Sequence, residues 1–439
     1  MLPTDVFGHG EHGLKANFMS ESKRKSESGK LFFLLVQLVS LLGSKVTHVA
    51  IGFWIYSHSR SVMDFSLVLL CSFLPNILSS FISGTIVDRL HFYKTFAVGD
   101  VVSAVVMSLS ALLVFSHPQT SIFLYATIFI VSAVSALQWV ALQAYLPGAF
   151  SGPNLIRATG WLSTSTALAT LGAASMASFL MATIGLGAIF LIDAATYLFS
   201  AYVVWGVLPR DNKTIPHDTG EGILSQFRDG LAYLSGQRDL FNLILLFVVL
   251  NFFAGINTNL MTPLFLERYS AKYAGYLLGF FGLGAMFAGM LQTGILSIAR
   301  LRHNIPLLMM IVFIEDMLIG FFNAPPLVAT LMFLLGSTIA LINTCTTLVM
   351  QENIASNYRG RIFAVSRTIG WIALPLAQLL CGFVTDKISL RFFSGDPSGF
   401  LGNLFVGVNL FAVLLFLAHL IWGRKLAFRS PEGVAEQPA

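Results

Sequence analysis

The chain has 439 residues, of which 56% are hydrophobic and only 11% are charged. Its mean hydropathy is +0.77, a balance that a soluble domain with a solvated surface would not tolerate. The composition therefore excludes an ordinary soluble protein and predicts a chain that lies in lipid. Three cysteines, at positions 71, 345 and 381, fall inside apolar runs and cannot all pair, which argues against a disulfide framework.

The first 30 residues are polar and include five lysine or arginine side chains. No apolar core precedes Leu31, so this segment lacks the pattern of a cleavable signal peptide. We expect residues 1–30 to form a disordered cytoplasmic tail.

Apolar runs long enough to cross a bilayer, about 20 residues each, recur along nearly the whole remaining sequence. They are continuous rather than alternating, which favours helices over a β-barrel. The predicted spans are 31–57, 62–87, 95–115, 121–146, 159–182, 186–208, 240–266, 273–299, 305–323, 326–350, 363–385 and 401–423. The sequence therefore predicts an all-α membrane protein with twelve transmembrane helices.

One long polar connection divides these spans six and six. It covers residues 209–239, between a first six-helix bundle at 31–208 and a second at 240–426, with a cytoplasmic tail at 427–439. Helical spacing of apolar residues predicts an amphipathic surface helix within it, formed by Ile223, Phe227, Leu231 and Leu234. A plain linker without a regulatory role is the simpler interpretation.

The 26 lysine and arginine residues are distributed unevenly between the two ends of the predicted spans. Lys45 lies within a span, and alternating crossings place most of the others on one side. The exceptions are Arg60, Arg268, Lys272, Lys387 and Arg391. This positive-inside pattern predicts that both termini are cytoplasmic, in a bacterial inner membrane.

Residues 83–89, Ser-Gly-Thr-Ile-Val-Asp-Arg, close the second span and carry a recognisable motif. The stretch resembles the loop signature of the major facilitator superfamily, in which a glycine, three residues and Asp-Arg precede a glycine and several basic residues. Gly84, Asp88 and Arg89 match it, whereas His91, Phe92 and Tyr93 replace most of the basic end and leave Lys94. The resemblance implies the major facilitator fold of two six-helix bundles. It also implies that Asp88 latches the second span to the eleventh, whose cytoplasmic end carries Arg359 and Arg361.

Three further strings, at 37–43, 52–56 and 358–365, resemble the macrolide-efflux-like exporters of that superfamily, some of which accompany peptide or siderophore biosynthesis. The resemblance implies proton-coupled efflux of a drug-like or secondary-metabolite small molecule by alternating access. The fifth span has Gly172-Ala173 where many such exporters have Gly-Pro, so antiport is implied less strongly. An importer on the same fold and a non-transporting membrane sensor remain alternatives.

No residue pattern favours an enzyme. The sequence has no Gly-x-x-x-x-Gly-Lys-Ser/Thr string, no His-Glu-x-x-His string and no Cys/His cluster with metal-ligand spacing. We therefore expect no cofactor, no metal and no nucleic acid. The expected partners are a small-molecule substrate, protons and the lipid bilayer, with the chain acting as a monomer.

Small residues are concentrated in the fifth and eighth spans. Gly172 in the fifth span, with Gly275, Gly279 and Gly282 in the eighth, would let the two helices approach closely. The resemblance implies that these helices meet across the two bundles and slide during transport. Static packing is the alternative.

Charged residues inside apolar spans are candidate functional groups, because each costs at least about 2.5–3.5 kcal/mol at the membrane centre unless it is paired. These are Lys45, Asp193, Glu315 and Asp316. Lys45 and Asp193 fall at similar depths, which suggests an ion pair or a shared proton site, and His48 lies one turn from Lys45. Simple mutual neutralisation is the alternative. Glu315 and Asp316 are adjacent, so they point about 100° apart and cannot both face one partner.

Other polar residues in spans that the resemblance places around a central cavity could contact the substrate. They are Gln138, Trp139, Asn251, Asn257 and Asn343. For each of them, an interhelical hydrogen bond is the simpler explanation.

Overall fold

The computed structural model describes residues 8–86, 92–116, 122–150, 153–207, 228–229, 231–234, 236–292, 304–354, 359–392 and 396–422. Those residues form twelve long helices, one for each predicted span. They are α1 (Gly8–Ser59), α2 (Val62–Ile86), α3 (Phe92–Ser116), α4 (Ile122–Ala149), α5 (Pro153–Thr183), α6 (Gly185–Val207), α7 (Arg238–Arg268), α8 (Ala271–Gln292), α9 (Ile305–Phe321), α10 (Pro325–Asn353), α11 (Arg359–Phe392) and α12 (Pro397–Trp422). The predicted all-α membrane class is confirmed.

Ten of these helices are long and apolar enough to cross a membrane. The other two are α5, which has 31 residues, and α9, which has 17. At about 1.5 Å per residue, α9 spans roughly 25 Å, a little less than a typical hydrocarbon core. Twelve crossings are therefore consistent with the structure, and α9 is the shortest of the twelve helices.

The structure differs from the sequence-based expectation at the N-terminal end. The first helix begins at Gly8, so residues 8–30, expected to be a disordered tail, continue α1. The chain has no proline between Pro3 and Pro75, and nothing else in this stretch removes a backbone donor from the helix.

Most of the predicted linker and the C-terminal tail lie outside the described residues, including Ile223 and Phe227 of the predicted amphipathic helix. Within the described part, residues 231–234 are helical, Leu234 is buried and Leu231 is exposed. The 427–439 tail is likewise outside the described residues.

The two halves repeat the same pattern of helix contacts. In the first half α1 contacts α5 and α6, α3 contacts α4 and α6, and α2 contacts α4. In the second half α7 contacts α11 and α12, α9 contacts α10 and α12, and α8 contacts α10. Adding six to each helix number of the first half yields the second. The halves are therefore structural repeats.

Contacts between the halves obey the same relation. The main ones join α5 to α8 and α2 to α11. Because α11 is the repeat of α5 and α8 is the repeat of α2, the two contacts are equivalent. Smaller contacts link α1 and α2 to α7, so α1 and α7 face each other across the division. The space between the halves is thus bordered by α1 on one side and α7 on the other.

Each half has apolar cores of its own, and the core of the second half also takes in a few residues of α1 and α2. The core of the second half includes Phe265, Phe313 and Phe405, and the cores of the first half centre on residues such as Phe190 and Phe96. All three cysteines are free, as expected from their positions in apolar runs. The helices of each half therefore pack mainly against one another.

Close approach of α5 and α8 depends on glycine. Gly275 lies against Ser178 and the Ala174 carbonyl of α5, and Gly279 lies against Ser175. The Ser175 hydroxyl donates to the Gly275 carbonyl oxygen at 3.1 Å, which joins the two halves directly. These glycines make room for a polar helix contact that larger residues would prevent.

The other two predicted interface glycines differ from each other in their surroundings. Gly172 lies against Leu42 of α1 and also lines a cavity between α5 and α8 with Ser175 and Gly279. Gly282 is buried in α8. Farther along α8, Gly284 lies against the Phe333 carbonyl of α10. Glycines of α8 therefore allow close contact with both α5 and α10.

We expect Gly275→Ala to destabilise the protein by about 1–3 kcal/mol, because the new methyl group would lie 2.7 Å from the Ala174 carbonyl oxygen. Gly289→Ala on the same helix is the matched control, since nothing lies within 4 Å of its methyl position. It should be neutral or slightly stabilising. Thermal unfolding of the purified protein measures both, and equal shifts would contradict the assigned contact.

Candidate functional site

The buried carboxylate of Asp193 on α6 is held by hydroxyl groups. Thr47 of α1 donates to its Oδ2 at 2.8 Å, and Thr196 shares its hydroxyl proton between the Asp193 backbone carbonyl at 2.8 Å and Oδ1 at 3.3 Å. Gly43 of α1 lies directly against the carboxylate, so the absence of a side chain there permits the approach. The two oxygens of Asp193 therefore have one partner on α1 and one on the next turn of α6.

The predicted Lys45–Asp193 ion pair does not form. Gly43 and Thr47 face α6, and Lys45 is two residues from each, so its side chain points to the opposite side of α1 at about 100° per residue. Equal depth along two helices was correctly inferred, but depth does not specify which face a residue occupies. Lys45 is exposed, whereas Asp193 is 1% exposed.

Lys45 points toward the division between the halves. Tyr56, eleven residues later on α1, donates from its hydroxyl to Glu267 of α7 at 3.0 Å. Eleven residues make three turns plus about 20°, so Lys45 lies on nearly the same line of the helix, about 16 Å away. His48 is one turn from Lys45, and its buried Nε2 has no hydrogen-bond partner in the structure.

Gln138 of α4 serves a structural contact in the first half. Its Nε2 donates to Oδ1 of Asp100 on α3 at 2.7 Å, and the Phe96 carbonyl lies at 3.4 Å. Sequence reasoning missed Asp100, a 2% exposed acid within the third predicted span. Its signal was the same as that of Asp193, a carboxylate inside an apolar run. Trp139, by contrast, is 37% exposed.

Asp316 and Glu315 of α9 face different neighbours, as expected from their adjacency. Asp316 Oδ2 accepts from Asn257 of α7 at 2.7 Å, and Asn257 also donates to Asn409 of α12 at 2.8 Å. Glu315 Oε1 accepts from Thr338 of α10 at 3.0 Å. The second carboxyl oxygen of each acid, Asp316 Oδ1 and Glu315 Oε2, is buried without a partner.

The remaining predicted polar residues make local contacts. Asn251 donates to the Phe247 carbonyl of its own helix at 2.8 Å and lies near Gly370 of α11. Asn343 of α10 is exposed, and its backbone carbonyl accepts from Thr347. Of the two side chains, only the Asn343 amide is exposed.

Side chains bridge the halves at the end where α1 meets α2, here called the α1–α2 end. Arg60 forms an ion pair with Glu267 of α7 at 2.7 Å, and the same carboxylate accepts from Tyr56. Tyr56, Val62 and Phe65 pack into the apolar core of the second half. The halves are therefore closed against each other at this end.

Asp386, near the end of α11, forms the most extensive of these bridges. Its carboxylate accepts from the Ser61 hydroxyl at 2.6 Å and from the backbone N–H groups of Val62 and Met63 at 2.9 and 3.2 Å. Those groups form the N-terminus of α2, whose unpaired donors and positive dipole end favour a carboxylate. An acid from one half thus caps a helix of the other.

A second layer of contacts lies one turn deeper. Asn259 of α7 exchanges hydrogen bonds with Ser66 of α2 at 2.8 and 3.1 Å, and it donates to the Gln378 carbonyl of α11. The Gln378 side chain is fully buried, yet neither its amide nitrogen nor its oxygen has a partner. The Gln378 side chain therefore adds no hydrogen bond to the contacts between the halves at this level.

A family model described as Major Facilitator Superfamily matches residues 33–378. The chain belongs to the Major Facilitator Superfamily. This confirms the resemblance read from residues 83–89 and makes the chain a membrane transporter. The repeated halves and the division between them are the fold of this superfamily.

Among sequence relatives, macrolide efflux protein A of Streptococcus pyogenes is 24% identical over 380 residues, which cover 84% of this chain and 92% of that protein. The multidrug efflux pump Tap of Mycobacterium tuberculosis is 22% identical over 382 residues, covering 84% and 90%. Both relatives are thus named for efflux.

Solved structures share the fold at lower identity. A bacterial homolog of the lysosomal transporter Spinster, in an inward-facing and occupied conformation, superposes with a TM-score of 0.67 at 13% identity, covering 92% of this chain and 99% of that one. The nucleoside transporter NupG has a TM-score of 0.66 at 14% identity, covering 90% and 99%.

The superfamily motif between α2 and α3 is only partly visible. Asp88 and Arg89 lie outside the described residues. Gly84 lies in α2, Arg359 and Arg361 lie in the first turn of α11, and Lys94 is an exposed residue of α3. The predicted latch therefore stays a prediction from the sequence.

We expect Asp386→Ala to open the α1–α2 end more often, because it removes the acceptor of three hydrogen bonds between the halves. The measurement is alkylation by a membrane-impermeant maleimide of a cysteine at the fully buried Ser66 position, in spheroplasts and with the natural cysteines replaced by alanine. Because charge-assisted bonds of this kind are lost, we expect the alkylation rate to rise roughly tenfold or more.

Asp396→Ala is the matched control for this experiment. Asp396 precedes α12 at the same end of the molecule, but its carboxylate accepts from Ser398 and from the Gly399 N–H within its own half. Alkylation in this variant should equal that of the parent protein. Equal rates in the Asp386 and Asp396 variants would contradict the role of Asp386 in closure.

Proposed function

We propose that this transporter exports an amphipathic small molecule, drug-like or a secondary metabolite, by proton-coupled alternating access. The observation that carries the proposal is the closure of the α1–α2 end directly above Lys45, a mid-membrane charge that faces the division between the halves. The two efflux relatives support the outward direction.

Alternating access needs a closed end that can reopen. At the α1–α2 end the bridging groups include the Arg60–Glu267 ion pair, whose arginine side chain is exposed. The buried amide of Gln378 lies close by and lacks hydrogen-bond partners. Exposed ion pairs contribute little net stability, and unsatisfied buried groups oppose it. This balance supports a gate rather than a permanent seal.

The predicted orientation assigns a state to the structure. The positive-inside pattern puts the α1–α2 end outside the cell, so closure there corresponds to an inward-facing or occluded transporter. We accordingly propose a bacterial inner-membrane location with both termini cytoplasmic. Because one chain supplies both halves and both gate surfaces, we propose that it works as a monomer.

We propose that the acids of α9 carry the coupling proton. Glu315 and Asp316 each retain a buried oxygen without a hydrogen-bond partner. A buried oxygen without a partner is tolerated better in a neutral carboxylic acid than in a carboxylate, whose desolvation is far more costly. Asp316 also contacts α7 through Asn257, which connects this site to a helix that borders the division.

Export is tested in everted membrane vesicles with radiolabelled erythromycin and, in parallel, dansylglycine. We expect at least one of the two to accumulate in the lumen when respiration acidifies it, and to leak out on addition of an uncoupler. Vesicles without the transporter are the control. Accumulation only in right-side-out vesicles would indicate an importer and would contradict the proposed direction.

Proton coupling is tested with Asp316→Asn, which keeps an acceptor for Asn257 but cannot carry a proton. We expect gradient-driven accumulation to fall to the background level, while exchange between equal substrate concentrations on both sides continues. Asp193→Asn is the informative comparison, because both oxygens of Asp193 already accept hydrogen bonds. Loss of accumulation in that variant alone would place the coupling proton in the first half instead.

A further inference from the structure

We propose that the transported molecule carries a carboxylate, which pairs with Lys45 between the two halves. This inference rests on the proposed function and names the substrate class of the same site. It concerns a charge that the fold places at mid-membrane and leaves without a counter-ion.

The position of Lys45 makes its charge costly. It lies midway along the Phe32–Ser59 span, where an ammonium group facing lipid would be strongly disfavoured. Lys45 is nevertheless exposed, and in the described part of the chain it forms no ion pair or hydrogen bond. A cation in this position is tolerated only where it faces water or a ligand.

The buried acids within the spans do not neutralise Lys45. Asp193 accepts from Thr47 on the opposite side of α1. Asp100 is bonded by a glutamine of α4, and the α9 acids are bonded by groups of α7 and α10. None of these buried acids is therefore a counter-ion for Lys45.

The direction of Lys45 places that charge where a substrate would bind. It lies on the line of α1 that reaches Glu267 of the other half through Tyr56, about 16 Å below that contact. The gate at the α1–α2 end thus covers it from one side. One turn away, the unpartnered Nε2 of His48 offers a further polar contact.

The same face of α1 can also accept an apolar body. Leu38 and Leu41 precede Lys45 by about two turns and one turn on that face, and both are half-buried. A charged head on Lys45 with an apolar remainder along these leucines describes an amphipathic anion. A cationic substrate would meet repulsion from Lys45 and find no carboxylate there to offset it.

The experiment compares two probes that differ mainly in one charge: dansylglycine, a carboxylate at neutral pH, and the neutral dansylamide. Equilibrium binding to the purified full-length protein is followed by dansyl fluorescence. We expect the wild-type protein to bind dansylglycine about tenfold or more tightly than dansylamide, as a charge-assisted bond implies. Equal affinities, or no binding of dansylglycine, would overturn the proposal.

Variants assign the preference to the residue. Lys45→Gln should abolish the discrimination between the probes, and Lys45→Arg should retain it. Lys272→Gln, which removes an exposed lysine near the start of α8, is the control for net charge and should change nothing. Unchanged discrimination in Lys45→Gln would overturn the proposal, and an unchanged melting temperature verifies that this variant is folded.

Binding to purified protein depends neither on transport direction nor on coupling. A failure of the charge preference therefore leaves export to be decided by the vesicle experiment. Conversely, an importer could still show the preference.

Discussion

A polar group that enters a membrane needs a partner there, and this constraint organises the structure. Helices satisfy the backbone, because every N–H and C=O within a span bonds along its own helix. Polar side chains are not satisfied by the helix itself, so each buried one needs a hydrogen-bond partner on a neighbouring helix, in a water-filled space or on a ligand. The contacts of Asp193, Asp100 and Asp316 are three such solutions between helices.

These polar contacts follow the structural repeat as closely as the helices do. The first helix of each half is bonded to the sixth, through Thr47 and Asp193 in one half and Asn257 and Asn409 in the other. The third helix of each half presents an acid to the fourth: Asp100 to Gln138, and Glu315 to Thr338. The residue types differ while the helix pairs are conserved between the halves, which indicates that geometry and not sequence is what the repeat preserves. Each half is held together internally by bonds that need not break during transport.

The contacts between the halves are of another kind. Glu267 and Asp386 reach across at the membrane edge, where water can replace their partners when the halves separate. Ser66 and Asn259 exchange hydrogen bonds one turn deeper, beside a buried glutamine side chain that forms no hydrogen bond in the structure. Lys45 stands below all of them and has no protein partner among the described residues. Alternating access is served by these different kinds of contact. The bonds inside each half are firm, the bonds between the halves can be replaced by water, and a polar group without a protein partner lies at the centre.

The sequence by itself determined the class, the twelve helices and the family. Length and apolarity of a run decide whether it crosses a bilayer, and residues 83–89 resemble the signature of the family whose model matches the chain. It also identified Lys45, Asp193 and Asp316 as costly charges, because burial within an apolar run is visible along the chain. Only the tertiary structure decided their partners. Depth along a helix follows from counting residues, but the neighbour depends on which face each helix turns toward which other helix, and that rotation is set by packing across the whole half. For this reason Asp193 bonds Thr47 and not Lys45, and for the same reason Asp386 was not recognised from the sequence as a cap for a helix more than three hundred residues earlier.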